Sequence, residues 1–287
     1  MKISEILKEN KVTLSMEVFP PKTEPRFDAV SSAVKEISKL KPAFISCTYG
    51  AGGGTSKYTV QISKDIMDYG VTSMAHLTCV SSSHETVRQQ ILNIKEAGIE
   101  NILALRGDIP DGMAFPGTNQ FEHAIDLIHV IKEEYPEACI GGACYPEKHP
   151  DAPDKDTDIK HIKEKVDAGC EFLTTQMFFD NSIYFNYLYR LREAGVNVPV
   201  IAGIMPVTTK TQMERSIELS GCIIPPRFKA MVDAFGDSPE KMKQVGVIYA
   251  TEQIVELISN GCTHIHVYTM NKPEIAASIM EQISTLI

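Results

Sequence analysis

The chain has 287 residues, with 28 Lys and Arg against 37 Asp and Glu for a net charge of -9, and 43% of it is hydrophobic. This balance excludes nucleic acid as a partner, which needs clustered basic residues, and the apolar share suffices for a large core. No apolar stretch approaches the roughly 20 residues of a membrane span, and Met1 to Phe19 mixes Glu and Lys where a signal peptide has an apolar centre, so a cytoplasmic protein with no membrane partner is expected.

Eight short runs rich in Val, Ile, Phe, Thr or Ala predict strands: Thr13 to Phe19, Phe44 to Thr48, Thr72 to Leu77, Asn101 to Arg106, Cys139 to Tyr145, Phe172 to Gln176, Pro199 to Ile204 and His264 to Tyr268. Stretches with apolar residues at steps of three and four follow them, as in Val60, Ile62, Ile66 and Met67, or Val87, Ile91, Ile94 and Ala97, and predict helices. Gly98, Gly169, Gly195 and Gly261 stand where left-handed helix caps belong, and Ser82 to Glu85 offers a capping box. The seventh interval is long, and Ile223 to Phe228 starts an extra helical piece running through Ala234.

Eight strand–helix units in a chain near the ~250 residues of such a fold predict a (β/α)8 TIM barrel, one domain over residues 1–287, with an extra helical segment between strands 7 and 8. The glycines of Gly50 to Thr55 resemble a dinucleotide fingerprint but fail at its last position and follow the second strand, so they predict a flexible or closely packed loop. Seven Cys, mostly inside apolar runs, predict reduced, buried thiols.

Barrel sites form at the C-terminal ends of the strands, which gathers Glu17, Thr48, His76, Arg106, Asp108, Tyr145 and Gln176 at one mouth. Glu17 stands between Met16 and Val18-Phe19-Pro20-Pro21. Such apolar company disfavours the charged form of a carboxyl and suits a general acid, the alternative being a pair with a neighbouring Lys or Arg. Gly107 lets the backbone approach a flat ligand, and the Asp108 carboxylate can accept hydrogen bonds from ring N–H and amino groups, although it can also simply cap the next segment. One proton donor and one fixed anion fit chemistry through a cationic intermediate. His76 with Cys79, His149, and the pair His264 and His266 raise a metal site, but three or four compatible ligands are needed and Cys79 is not placed with the others, so no metal is expected. Phe178 and Phe179 read as core.

The ordered series Glu17 in MEVFPP, Thr48 in CTYGA, His76 in AHLTC, Asp108 in ALRGDIP, Tyr145 in CYPEKHP, Gln176 in TTQMFFD, Gly203 in AGIMPV and Tyr268 in HVYTMNK resembles the methylenetetrahydrofolate reductases, in their short bacterial type without a regulatory region. The resemblance implies a flavin, FAD in preference to FMN, and reduction of 5,10-methylenetetrahydrofolate to 5-methyltetrahydrofolate in one-carbon and methionine metabolism. It assigns Glu17 to protonating the folate nitrogen that leaves as the ring opens, Asp108 to stabilising the pterin's positive charge, Gln176, Gln212 and Tyr268 to the folate, and Lys272 to its acidic tail. For the flavin it implies Thr48, His76, Arg106, Gly107, Asp108, Phe121, Ala143, Tyr145, His149, Asp158 and Lys165. The family can carry an aromatic lid about four residues after the Gln that matches Gln212; Ser216 stands there, which predicts open space, weak saturation by NADH or NADPH, and a dedicated electron-donor subunit. A homo-oligomer is expected. The competing readings are a metal-dependent barrel hydrolase using His76, Asp108, His264 and His266, and a flavin subunit that relays electrons within a complex.

Overall fold

A computed structural model describes residues 1–9, 11–21, 23–49, 56–80, 82–109, 117 and 119–287. The eight strands are β1 (Thr13–Val18), β2 (Ile45–Cys47), β3 (Ser73–Thr78), β4 (Asn101–Leu105), β5 (Cys139–Cys144), β6 (Phe172–Thr175), β7 (Val200–Ile204) and β8 (His264–Tyr268). They pair in parallel in chain order and close through β1 on β8, with Ser15 opposite His266 and Glu17 opposite Tyr268. Each predicted run lies within one residue of its observed strand at either end.

The helices are α1 (Ile3–Ile6), α2 (Phe27–Lys39), α3 (Ser56–Asp68), α4 (His84–Glu96), α5 (Ala124–Glu134), α6 (Lys155–Asp167), α7 (Asn181–Glu193), α8 (Lys210–Ser220), α9 (Pro226–Phe235), α10 (Pro239–Ser259) and α11 (Pro273–Ile283). Three helices, α8 to α10, fill the interval between β7 and β8. The expected extra piece is α9, which opens with Pro226 in its first turn, where a missing N–H costs nothing. Gly98, Gly169, Gly195 and Gly261 all have positive φ, as their cap positions require. The cap of α4 differs from expectation: Ser83, not Ser82, is the N-cap and accepts from the Thr86 amide, so Glu85 falls one place short of completing a box. The Gly50 to Thr55 loop lies outside the described residues.

Strand alternation sorts the core. Leu14, Met16 and Val18 join Val34, Ile37, Ile45 and Ile62 in the layer between barrel and helices, so Thr13, Ser15 and Glu17 face the barrel interior. At the N-terminal end that interior is apolar: Phe44, Met74, Leu103, Phe172 and Ile201 pack with Ile3, Ile6 and Leu7 of the α1 segment. Toward the C-terminal end it becomes polar, with Ser15, Ser46 and His266 beneath Glu17, His76 and Tyr268. All seven cysteines are free and buried, as expected. Among the described residues no helix is long and apolar enough to cross a membrane.

Candidate functional site

Glu17, one residue before the end of β1, is only 7% exposed. Its Oε2 lies 3.4 Å from Ser46 Oγ, 3.5 Å from His76 Nε2 and 3.7 Å from His266 Nε2. The apolar company expected from the sequence is on the other side of the strand, because Met16 and Val18 point toward the helices. What surrounds the carboxyl is one hydroxyl and two imidazoles rather than Lys or Arg. Burial pulls His76 down to about 4 despite the opposing pull of Glu17, so that ring is neutral near pH 7 and the close pair is not an ion pair. Burial, and then the Glu17 charge, pushes both the Cys47 thiol and the Tyr268 phenol up.

The end of β1 is fastened to the loop after β8. Thr269 donates both its amide, at 3.3 Å, and its hydroxyl, at 2.6 Å, to the Glu17 carbonyl. Asn271 takes the amide and carbonyl of Phe19. Met270 and Asn271 both hold left-handed φ, near 55°, to make that turn.

A second cluster forms at the ends of β4 and β5. Arg106 Nη2 pairs with the largely exposed Asp151 at 2.7 Å and holds its carboxyl below the usual range. The Tyr145 ring meets His149 edge-on at 4.6 Å, and burial, reinforced by Asp108, pushes its hydroxyl up to about 12. Asp158 accepts from the His149 amide at 3.1 Å, while Lys165, on the same face of α6, donates to the Ala143 carbonyl at 2.6 Å. His149 is shifted down by burial and then by Arg106. Asp108 itself is exposed, and Thr48 is half-buried at the end of β2. Phe121 sits on the His84 ring at 4.1 Å.

Gly107 is explained without a ligand: its φ is +87°, and an added Cβ would come within 2.9 Å of Thr78 and Val80. The close approach that glycine permits here is to the protein's own β3 end.

On the opposite rim Lys272 donates to Thr208 Oγ1 at 2.8 Å, and the Thr208 amide donates to Gln212 Oε1 at 2.9 Å, tying the β8 loop to the β7 loop. Gln176 Oε1 accepts from the Met177 amide, and Tyr268 donates its hydroxyl to the Thr175 carbonyl. Ser216 does not border open space. It is 4% exposed and donates its hydroxyl to the Gln212 carbonyl.

Among the described residues no group of three or more His, Cys, Asp or Glu is placed to hold a metal ion. His264 bonds Thr13 at 2.9 Å, one layer below His266. The sequence reading missed Ser15, Ser46, Thr269 and Asn271. Ser15 was recoverable, since it shares a face with Glu17 by simple alternation, but the partners from β2 and β8 depend on barrel closure.

A family model described as methylenetetrahydrofolate reductase matches residues 2–284. The chain is 34% identical over 272 residues to the 5,10-methylenetetrahydrofolate reductase of Escherichia coli (strain K12), covering 94% of this chain and 90% of that protein. It is 37% identical over 297 residues to methylenetetrahydrofolate reductase 1 of Schizosaccharomyces pombe and 32% identical over 292 residues to methylenetetrahydrofolate reductase (NADH) 1 of Arabidopsis thaliana. Those matches cover 100% and 97% of the chain, which spans about half the length of each relative, 49% in both cases. Among solved structures, an uncharacterized protein from Clostridium thermocellum that binds two copies of 5-methyl-5,6,7,8-tetrahydrofolic acid superposes with a TM-score of 0.70 over 99% of both chains, at 16% identity, a likeness of fold.

Proposed function

The chain belongs to the methylenetetrahydrofolate reductase family, and on that premise we propose that it acts as one catalytic barrel domain that reduces 5,10-methylenetetrahydrofolate to 5-methyltetrahydrofolate with a flavin, FAD in preference to FMN. The observation that carries the reading is Glu17, a buried carboxyl at the barrel mouth whose neighbours are a hydroxyl and two imidazoles.

The residues at the mouth fit a flavin dinucleotide. His76 Nε2 is buried with no hydrogen-bond partner, a group that a polar ring ligand would satisfy. The Arg106 guanidinium, whose Nε donates to the Gly107 carbonyl at 3.3 Å, turns its Nη2 to an exposed carboxylate that a phosphate can replace. Thr48, His76, Gly107, Ala143 and Tyr145 would border the flavin ring, with Arg106, His149, Asp158 and Lys165 toward the phosphates and Phe121 toward the adenosine. When bound, the flavin supplies the hydride.

Glu17 delivers a proton to the folate nitrogen that leaves as the five-membered ring opens. Asp108 holds the pterin and offsets its developing positive charge. Gln176, Gln212 and Tyr268 border the folate, and Lys272, anchored on Thr208, faces its acidic tail. The donor is NADH, NADPH or a dedicated donor subunit; the buried Ser216 removes only the open space expected over the flavin. We also place the protein in the cytoplasm as a homo-oligomer.

The test is the visible spectrum of the purified chain. A yellow protein that releases FAD on denaturation, is bleached by NADH or NADPH and is reoxidised by 5,10-methylenetetrahydrofolate is expected. A colourless protein that takes up neither FAD nor FMN but retains zinc after dialysis would point to the hydrolase.

A further inference from the structure

We propose that His266 is a positioning residue for Glu17: it completes a one-directional chain of hydrogen bonds, from Glu17 through Ser46, His266 and Ser15 to the carbonyl of Ile265, that keeps the transferable proton on the Glu17 carboxyl. The proposal rests on the reading of Glu17 as the general acid.

His266 is fully buried, stacked on Phe44 with ring centroids 5.7 Å apart and met edge-on by Tyr268 at 5.5 Å. Its Nδ1 lies 2.8 Å from Ser15 Oγ, and its Nε2 lies 3.2 Å from Ser46 Oγ. The Ser15 hydroxyl donates to the Ile265 carbonyl at 3.0 Å. A hydroxyl has one proton to give, so toward His266 the Ser15 oxygen can only accept. That places the imidazole proton on Nδ1 and leaves a lone pair on Nε2. The Ser46 hydroxyl donates to this lone pair, and its oxygen, 3.4 Å from Glu17 Oε2, is then free to accept.

A carboxyl that carries its proton supplies the missing donor, and every polar atom in the chain is satisfied. A carboxylate cannot. Ser46 would then have to choose between Glu17 and His266, leaving the chain one donor short and Glu17 dependent on the longer 3.5 Å approach of His76 Nε2. The titratable groups near Glu17 on the other strands bring no compensating charge. Cys47 on β2 and Tyr268 on β8 are pushed up, and His76 on β3 is held neutral, all chiefly by burial.

Two measurements test this. In the unsubstituted protein, long-range 1H–15N correlation of labelled histidine near pH 7 should show His266 neutral and protonated on Nδ1; an imidazolium, or a proton on Nε2, overturns the proposal. In the second, the flavin is reduced chemically and its reoxidation by 5,10-methylenetetrahydrofolate is followed against pH. The rate should fall as Glu17 loses its proton, and in Ser15→Ala and His266→Phe that fall should move toward acid by about one unit, since both remove a preference for the protonated carboxyl. A purely structural role would lower the rate equally at every pH and leave the inflection unmoved, which overturns the chain. Glu17→Gln separates the two levels. If it retains folate reduction, the acid role itself fails; if it loses that reaction while the His266→Phe inflection stays fixed, only the positioning role fails.

Discussion

The side chain of Asn271 pairs with both backbone polar groups of Phe19, accepting from its amide at 2.8 Å and donating to its carbonyl at 2.9 Å. A side chain thereby continues the β1–β8 ladder past its last backbone pair and fixes the segment directly after Glu17. Asn271→Ala should cost about 1–3 kcal/mol, because the Phe19 amide loses its acceptor and alanine is forced to a φ of 55°. Asn271→Gly keeps the turn and should cost less. Urea unfolding of the two variants checks the order, and equal losses would place the whole effect in the hydrogen bonds.

Glu17→Gln keeps the size of the side chain and removes the proton. Reduction of the flavin by NADH should survive, while its reoxidation by 5,10-methylenetetrahydrofolate should slow by about 100- to 10,000-fold. Stopped-flow measurement of the two half-reactions decides the point, and equal damage to both would mark Glu17 as structural.

Gly203 lies where Tyr268 crosses the barrel. An added Cβ would come within 2.5 Å of the Thr175 carbonyl and nearer still to the Tyr268 hydroxyl. Gly203→Ala should therefore destabilise by about 1–3 kcal/mol through overpacking and break the bond from Tyr268 to Thr175. Adding Tyr268→Phe should recover part of the loss in thermal unfolding, since it removes the nearest of the three obstructing atoms, leaving the Thr175 carbonyl and the ring edge.

His76 titrates near 4 in the folded protein against 6.5 when free. Between those values the folded state binds fewer protons than the unfolded chain, so stability falls as pH drops through this window and levels off below it, by on the order of 3 kcal/mol from this group. His149 and His264, also shifted down by burial, act in the same direction. His76→Gln should flatten the curve without abolishing it in urea titrations from about pH 7 to 4. A curve as steep as that of the unsubstituted protein would show that His76 is not held neutral.

Asp108→Asn removes an exposed negative charge beside the proposed flavin and pterin. The flavin midpoint potential should rise by about 5–20 mV, because exposed charge interactions amount to about 0.2–1 kcal/mol and 30 mV corresponds to about 1.4 kcal/mol for two electrons. Folate reduction should slow as well. An unchanged potential in a spectroelectrochemical titration would remove Asp108 from the flavin's electrostatic surroundings.

The strands were legible because each is a short apolar run ending in polar residues, and once eight were counted the meeting of Glu17 and His76 followed from the fold. Their immediate surroundings were not. Residues 16 and 18 frame Glu17 in the sequence yet face away from it, while Ser46 and His266 meet beside it across 220 residues of chain. His266 was visible only as a candidate metal ligand, because its bond to Ser15 depends on β8 lying beside β1. The cap of α4 moved by one residue, since Ser82 and Ser83 carry the same hydroxyl and only backbone geometry chooses between them.

The apolar packing of Ile3, Ile6 and Leu7 against Phe44, Met74, Leu103 and Phe172 makes the barrel a cup rather than a tube. Whatever reacts at Glu17 arrives and departs through the same opening, so a spent molecule stands in the path of the next one. A second reactant cannot be supplied from behind. Traffic across the rim therefore sets the order in which encounters happen, and a product slow to leave would act as its own inhibitor.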